Sequence, residues 1–282
     1  MKPLPSSRRR QRGLSLVEMM VSIALGLLIL VAILQVFTAS RQTYRFQQNI
    51  ARMQENARIA TEILQRTARD AGFEPPPASS AQLVCATSDN CLLGSQNSLT
   101  SAQLTSLGTR SGSDILIIRF RSDGNMSDCL GAGQNDAGTG YLQTPGTRGT
   151  GIYFIDSGTS TLECDNTDPA PGGTGHGGPQ PLIDDIEDMQ VLYGYRNSST
   201  GNLIYVPGNL LTTSGDYYLI TAVRIQLCVR SPDANVVSSA NTQHCLMDSD
   251  GDGANDDDRT LSTTDGRLRQ VVTTTIKLRN RP

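Results

Sequence analysis

The feature that most restricts what this chain can fold into is an apolar run from Leu14 to Phe37, broken by a single charge, Glu18. Five basic residues (Lys2, Arg8, Arg9, Arg10, Arg12) and no acidic residue precede Gly13. As a helix the run spans about 36 Å at 1.5 Å per residue, enough to cross a ~30 Å hydrocarbon core. The basic cluster predicts an amino end in the cytoplasm, with everything after Phe37 outside the inner membrane. Gly26 interrupts the run without proline and predicts only mild local weakening. A carboxylate at membrane depth is costly, so Glu18 marks a functional position.

An ordinary secretory signal carries its cleavage site after the apolar region. Here the small residue, Gly13, stands before it, and no A-x-A-like site closes the run near Phe37. Glu18 has two readings. One is an interfacial carboxylate near the headgroups, with no partner. The other is one half of a buried ion pair, selective because a wrong register leaves a charge unpaired in hydrocarbon.

The helical pattern continues out of the membrane. Phe46, Ile50, Met53, Ala57, Ala60, Leu64, Ala68 and Ala71 fall three or four residues apart and define one face. Arg45, Arg52, Glu55, Arg58, Glu62, Arg66 and Arg69 mark the other. No glycine or proline occurs between Leu27 and Ala71. Gly72 then suits a C′ position and Pro75-Pro76-Pro77 forbids continuation. One helix of roughly 55 residues is predicted, its alanine-rich stripe suited to close packing on a sheet. A coiled-coil stalk needs more heptads than the pattern supplies.

The 282 residues leave room beyond leader and helix for one sizeable domain or two small ones. Five of the 24 basic residues sit before Gly13, so their removal leaves nineteen against 27 acidic residues, a net charge of −8. An acidic chain without tryptophan is poorly suited to nucleic acid, whose phosphates ask for positive clusters. All six cysteines (Cys85, Cys91, Cys129, Cys164, Cys228, Cys245) follow the apolar run. An even number in an oxidising compartment predicts disulfides, with fifteen possible pairings. Cys85–Cys91 closes the shortest loop, Cys228–Cys245 would clip a strand end to the next loop, and Cys129–Cys164 is then left by elimination. Zinc is the competing reading, weakened by the lack of a C-x-x-C pair.

Four segments read as half-buried strands: 114–121 (DILIIRFR), 186–196 (IEDMQVLYGYR), 217–230 (YYLITAVRIQLCVR) and 271–279 (VVTTTIKLR). A short fifth falls at 151–156. The long stretches 122–149, 166–180 and 231–269 read as loops, the middle one mobile. The fold class predicted is α+β, a long N-terminal helix packed on an antiparallel sheet with long loops. The expected divisions are a leader (1–13), a membrane-spanning half-helix (14–37), a periplasmic half-helix (38–72) and a globular sheet domain (73–282).

One loop has cation geometry. Asp248, Asp250 and Asp252 fall at positions one, three and five of an EF-hand loop, Gly253 at six, Ala254 at seven through its carbonyl, and Asp256 at nine. Arg259 stands at position twelve, where a bidentate glutamate belongs, and flanking helices are absent from the pattern. Calcium is the expected ion, relieving repulsion among crowded carboxylates; the competing reading is a solvated acidic turn. The two histidines, His176 and His244, have no neighbouring nucleophile motif, so neither an enzymatic activity nor an organic cofactor is expected.

The junction Gly13-Leu14-Ser15-Leu16-Val17-Glu18 resembles the class III signal of type IV prepilins. That resemblance implies cleavage between Gly13 and Leu14 by a prepilin peptidase and N-methylation of Leu14. It also implies that Glu18 meets the α-amine of a neighbouring subunit, here that of Leu14. The stretches SRQTYRFQQNIARMQENARIATEILQRTARDAGF, LIDDIEDMQVLYGYR and TTTIKLRNRP are similar to the PilW family of minor type IV pilins. The family implies a low-abundance subunit, partnered through its helix by other minor pilins and the major pilin. It would help prime pilus assembly or sit near the tip, and so support twitching motility. The alternatives are a type II secretion pseudopilin, built on the same membrane logic, and a tip adhesion module.

Overall fold

A computed structural model of the protein describes residues 13, 15–73, 92–94, 107–131, 148–166, 178–196, 201–211, 220–237, 243–248 and 259–279. The chain divides into two compact units, Met1–Gln48 and Asn49–Pro282. In the first, the described residues from Leu16 onward are helical and exposed, and the window apolar enough to cross a membrane has none of its residues buried.

Helix α1 runs Leu16–Asp70 without interruption. It stops where the sequence withdraws support. Gly72 takes the left-handed conformation, φ 71°, and its N–H donates to the Arg119 carbonyl at 2.9 Å. The stripe α1 buries is Asn49, Met53, Ala57, Ala60, Leu64 and Ala68, continued by Ala71. This corrects the expected face at its start. Phe46 is exposed and Ile50 only half-buried, while Asn49 takes the buried position. The reason is polar: Asn49 Nδ2 donates to Asp233 Oδ2, and Asp233 N–H donates to Asn49 Oδ1, both at 3.0 Å. A side chain that completes two such bonds can be buried at little cost.

Among its described residues the second unit holds three antiparallel sheets where a single sheet was expected. Strands β1 (Leu92–Gly94), β2 (Leu116–Arg121), β3 (Arg148–Ile155), β4 (Thr161–Asp165) and β5 (Gln180–Asp184) form a meander in that order. Strands β6 (Ile186–Arg196), β7 (Leu203–Pro207), β8 (Ile220–Arg230) and β11 (Arg269–Lys277) form a second sheet in the order β11-β8-β6-β7. Strands β9 (Gln243–Met247) and β10 (Arg259–Thr263) make a separate hairpin within the stretch read as loop. One residue, Asp185, carries the chain from the first sheet to the second. It sits at φ 64°, a region aspartate tolerates, and Arg230 Nε donates to its carboxylate at 3.1 Å.

The main core joins the α1 stripe to Leu116 and Ile118 of β2, Tyr153 and Ile155 of β3, Met189, Val191 and Tyr193 of β6, and Val223, Ile225 and Leu227 of β8. Ala57, Ala60, Ala68 and Ala71 contribute buried side chains to this core. β6 was expected to be half-buried, yet it is buried on both faces except at its last two residues. Its second face is polar, and each polar group finds a partner. Gln190 Nε2 donates to the Gly112 carbonyl at 2.8 Å, and Asp188 Oδ1 accepts from the Met189 N–H at 2.8 Å.

Candidate assembly site

The site suggested by the sequence lies at the amino end of α1. Leu14 lies outside the described residues; Gly13 is exposed. Ser15 and Glu18 cap the helix reciprocally. Ser15 Oγ accepts the Glu18 N–H at 3.2 Å, and Glu18 Oε2 accepts the Ser15 N–H at 3.5 Å. This is the S-x-x-E capping box, which satisfies backbone donors that the first turn leaves orphaned. Neither expected reading of Glu18 included it, although the spacing is plain in Ser15-Leu16-Val17-Glu18. The carboxylate therefore has a partner within its own chain, in the first turn of α1. Its negative charge also sits favourably at the positive end of the helix dipole.

Beyond Glu18 the helix exposes its apolar side chains, among them Leu28, Ile29, Ile33 and Phe37. The first charge after Glu18 is Arg41, whose guanidinium lies 4.1 Å from the centre of the Phe37 ring. Long basic side chains fold back in this way at an apolar boundary, keeping the charge toward water.

Two disulfides are formed among the described residues. Cys129 bonds Cys164, with Cα atoms 6.3 Å apart, and ties the segment after β2 to β4. Cys228 bonds Cys245, with Cα atoms 5.8 Å apart, and fastens the β9–β10 hairpin to β8. Cys85 and Cys91 lie outside the described residues.

Of the acidic-loop positions only Asp248 is described; Asp250, Asp252, Ala254 and Asp256 lie outside. Asp248 is buried and held by β8. Its N–H donates to Gln226 Oε1 at 3.2 Å, its carbonyl accepts from Gln226 Nε2 at 2.8 Å, and its carboxylate lies 3.6 Å from Arg224 Nη1. Arg224 in turn lies over the Tyr205 ring at 3.9 Å. Nothing in the residue spacing announced Arg224 as the neighbour of Asp248, because the contact comes from the placement of the hairpin over the sheet. Among the described residues no group of three or more His, Cys, Asp or Glu side chains could hold a metal.

Residues 8–34 match the prokaryotic N-terminal methylation motif, and residues 152–280 match the family model for type IV pilus-assembly protein W. Among solved structures, the type IV-like pilin TTHA1219 from Thermus thermophilus is similar to 81% of this chain and 97% of its own, at 12% identity and a TM-score of 0.43. No curated protein matches the chain. A methylation motif at the start of an exposed apolar helix is thus followed, from β3 to β11, by a region similar to the type IV pilus-assembly protein W family.

Proposed function

We propose that the chain is a minor type IV pilin that takes part in priming pilus assembly and is incorporated at or near the pilus tip. The observation that carries the reading is the fully exposed apolar half of α1 with Glu18 as its one charge. Exposed apolar surface on this scale asks for lipid or for the helices of neighbouring subunits. A prepilin peptidase cuts after Gly13, Leu14 is N-methylated, and the leader stays in the cytoplasm while the sheet unit lies in the periplasm. The new α-amine of Leu14 on one subunit then competes with the Ser15 N–H for the Glu18 carboxylate of the next. A full positive charge in a low-dielectric setting wins over one long neutral hydrogen bond. Other minor pilins and the major pilin are the partners along the helix.

The test is a chromosomal deletion, complemented by native protein or by Glu18→Ala. Pili per cell and twitching should fall on deletion and recover only with the native gene. Glu18→Ala should be cleaved normally and be missing from sheared filaments. Unchanged pilus numbers and twitching after deletion, alongside failure to export a type II secretion substrate, would assign the chain to secretion instead. An intact, unmethylated amino terminus in the mature protein would refute both.

A second proposal concerns calcium at residues 248–258. It is supported by the spacing of Asp248, Asp250, Asp252 and Asp256. Calorimetric titration of the full chain in micelles should detect calcium uptake that Asp250→Ala abolishes. Absence of both heat and a calcium-dependent melting shift would refute it.

A further inference from the structure

Among the described residues the outer strand β11 is paired on one side only, with β8. Its register runs from Arg269 opposite Arg230 to Lys277 opposite Ala222 without a bulge, and it contains no proline. Unpaired main-chain groups on such an edge are a template for another strand. Here the residues Val271-Val272-Thr273-Thr274-Thr275-Ile276 favour extended pairing.

Between β11 and α1 lie two recesses of about 550 and 620 Å³ that share Gln65 as a wall. Gln65 Nε2 donates to Thr274 Oγ1 at 2.6 Å and marks their border. The recess beyond Gln65 is lined by Arg69, Lys277 and Arg279, and no carboxylate lines it among the described residues. All three cations are exposed.

We propose that this basic end of β11 docks an extended, acidic segment of another protein chain. The segment pairs its backbone with the free edge from Thr274 onward and places carboxylates against Arg69, Lys277 and Arg279. Two observations select this occupant. An open strand edge is satisfied by a peptide backbone, which supplies alternating donors and acceptors. Three cations in one recess select carboxylates by charge complementarity. Lipid headgroups and nucleic acid would answer the charges and leave the edge unused.

The test uses the full chain in detergent micelles. The probe is a fluorescein-labelled nine-residue peptide of alternating threonine and valine ending in three aspartates, followed by anisotropy. Saturable binding is expected. It should weaken at least about tenfold in the Lys277→Glu/Arg279→Glu double variant and return when the same variant meets a peptide ending in three lysines. A backbone N-methylated acidic peptide, which keeps the charge and cannot pair as a strand, should fail to bind the native chain. Recovery on the lysine-ended peptide shows that the double variant is folded. No binding of the acidic peptide, equal binding of both peptides, or equal binding of the N-methylated form would overturn the proposal. So would a concentration-dependent dimer lost in the double variant, since a second copy would then be the occupant.

Discussion

Glu187 and Arg269 form a two-pronged ion pair inside the sheet unit: Nε donates to Oε2 at 2.6 Å and Nη2 to Oε1 at 2.9 Å. The Arg269 side chain has no solvent exposure and that of Glu187 has 4%. The pair depends on an irregularity in β6. Ile186 faces Val229 and Asp188 faces Cys228, so Glu187 is an extra residue whose side chain is re-aimed toward β11. Arg230 reaches the same carboxylate at 3.3 Å, and Asp265 takes the far side of Arg269 at 2.8 Å. Burial works against the Arg269 charge, but hydrogen bonds and charge from Asp265 and Glu187 outweigh it and raise its pKa.

Removing Glu187 takes from buried Arg269 one of its two carboxylates and leaves Asp265 as the other. Glu187→Gln should therefore cost about 1.5–3 kcal/mol, the range for hydrogen bonds to a charged group, and the paired change Glu187→Leu/Arg269→Met should be milder. Urea unfolding of the full chain in micelles, followed by tyrosine fluorescence because the chain has no tryptophan, measures both. Equal loss in the single and double variants would contradict the account.

The alanine stripe of α1 leaves no room for larger side chains. Ala60 is fully buried, so Ala60→Leu should destabilise by about 1–3 kcal/mol through overpacking. On the opposite face, Glu55→Ala removes an exposed, solvent-screened pair with Arg58 (2.7 Å) and should leave stability nearly unchanged. The same unfolding assay separates the two.

Tyr153 predicts an alkaline limit to stability. Burial is the main influence raising its phenol well above 10, with Asp128 and Asp70 adding to it and a hydrogen bond with Thr67 opposing. The folded pKa lies above the unfolded one, so the contribution is complete below pH 10 and is lost as pH rises above it. Melting temperature should fall from pH 10 upward in the native chain and fall less steeply in Tyr153→Phe. Parallel curves would exclude Tyr153 as the cause.

Asn49 faces the Asp233 carboxylate, so Asn49→Asp would set two carboxylates together at 3.0 Å spacing. Like charges raise a carboxyl pKa. The variant should be less stable than native at pH 7 and recover part of the deficit as pH falls to 4, where one carboxyl is protonated. A deficit that is the same at both pH values would mean that lost hydrogen bonding, not repulsion, is responsible.

The parts of the fold with strong periodicity were readable from the residues alone. Helix α1, its Gly72 stop, and the strands that became β2, β6, β8 and β11 all announce themselves through spacing or alternation. The short strands β4 (TLECD), β5 (QPLID), β9 (QHCLM) and β10 (RTLST) do not. They carry too few apolar residues to show a period, and neighbouring strands hold them in place. The polar interior was hidden for a related reason. Asn49, Glu187 and Arg269 read as surface residues by type, and only tertiary partners make their burial affordable. The Ser15–Glu18 box, by contrast, is plain in the residues, because S-x-x-E ahead of an apolar run is the capping-box spacing.

The single-residue joint at Asp185 limits where this protein can change in length. An added residue there would pull the Arg230 clasp apart and slide β6 by one position, turning its core face outward. An epitope tag for tracking the subunit in living cells therefore belongs away from the β5–β6 joint.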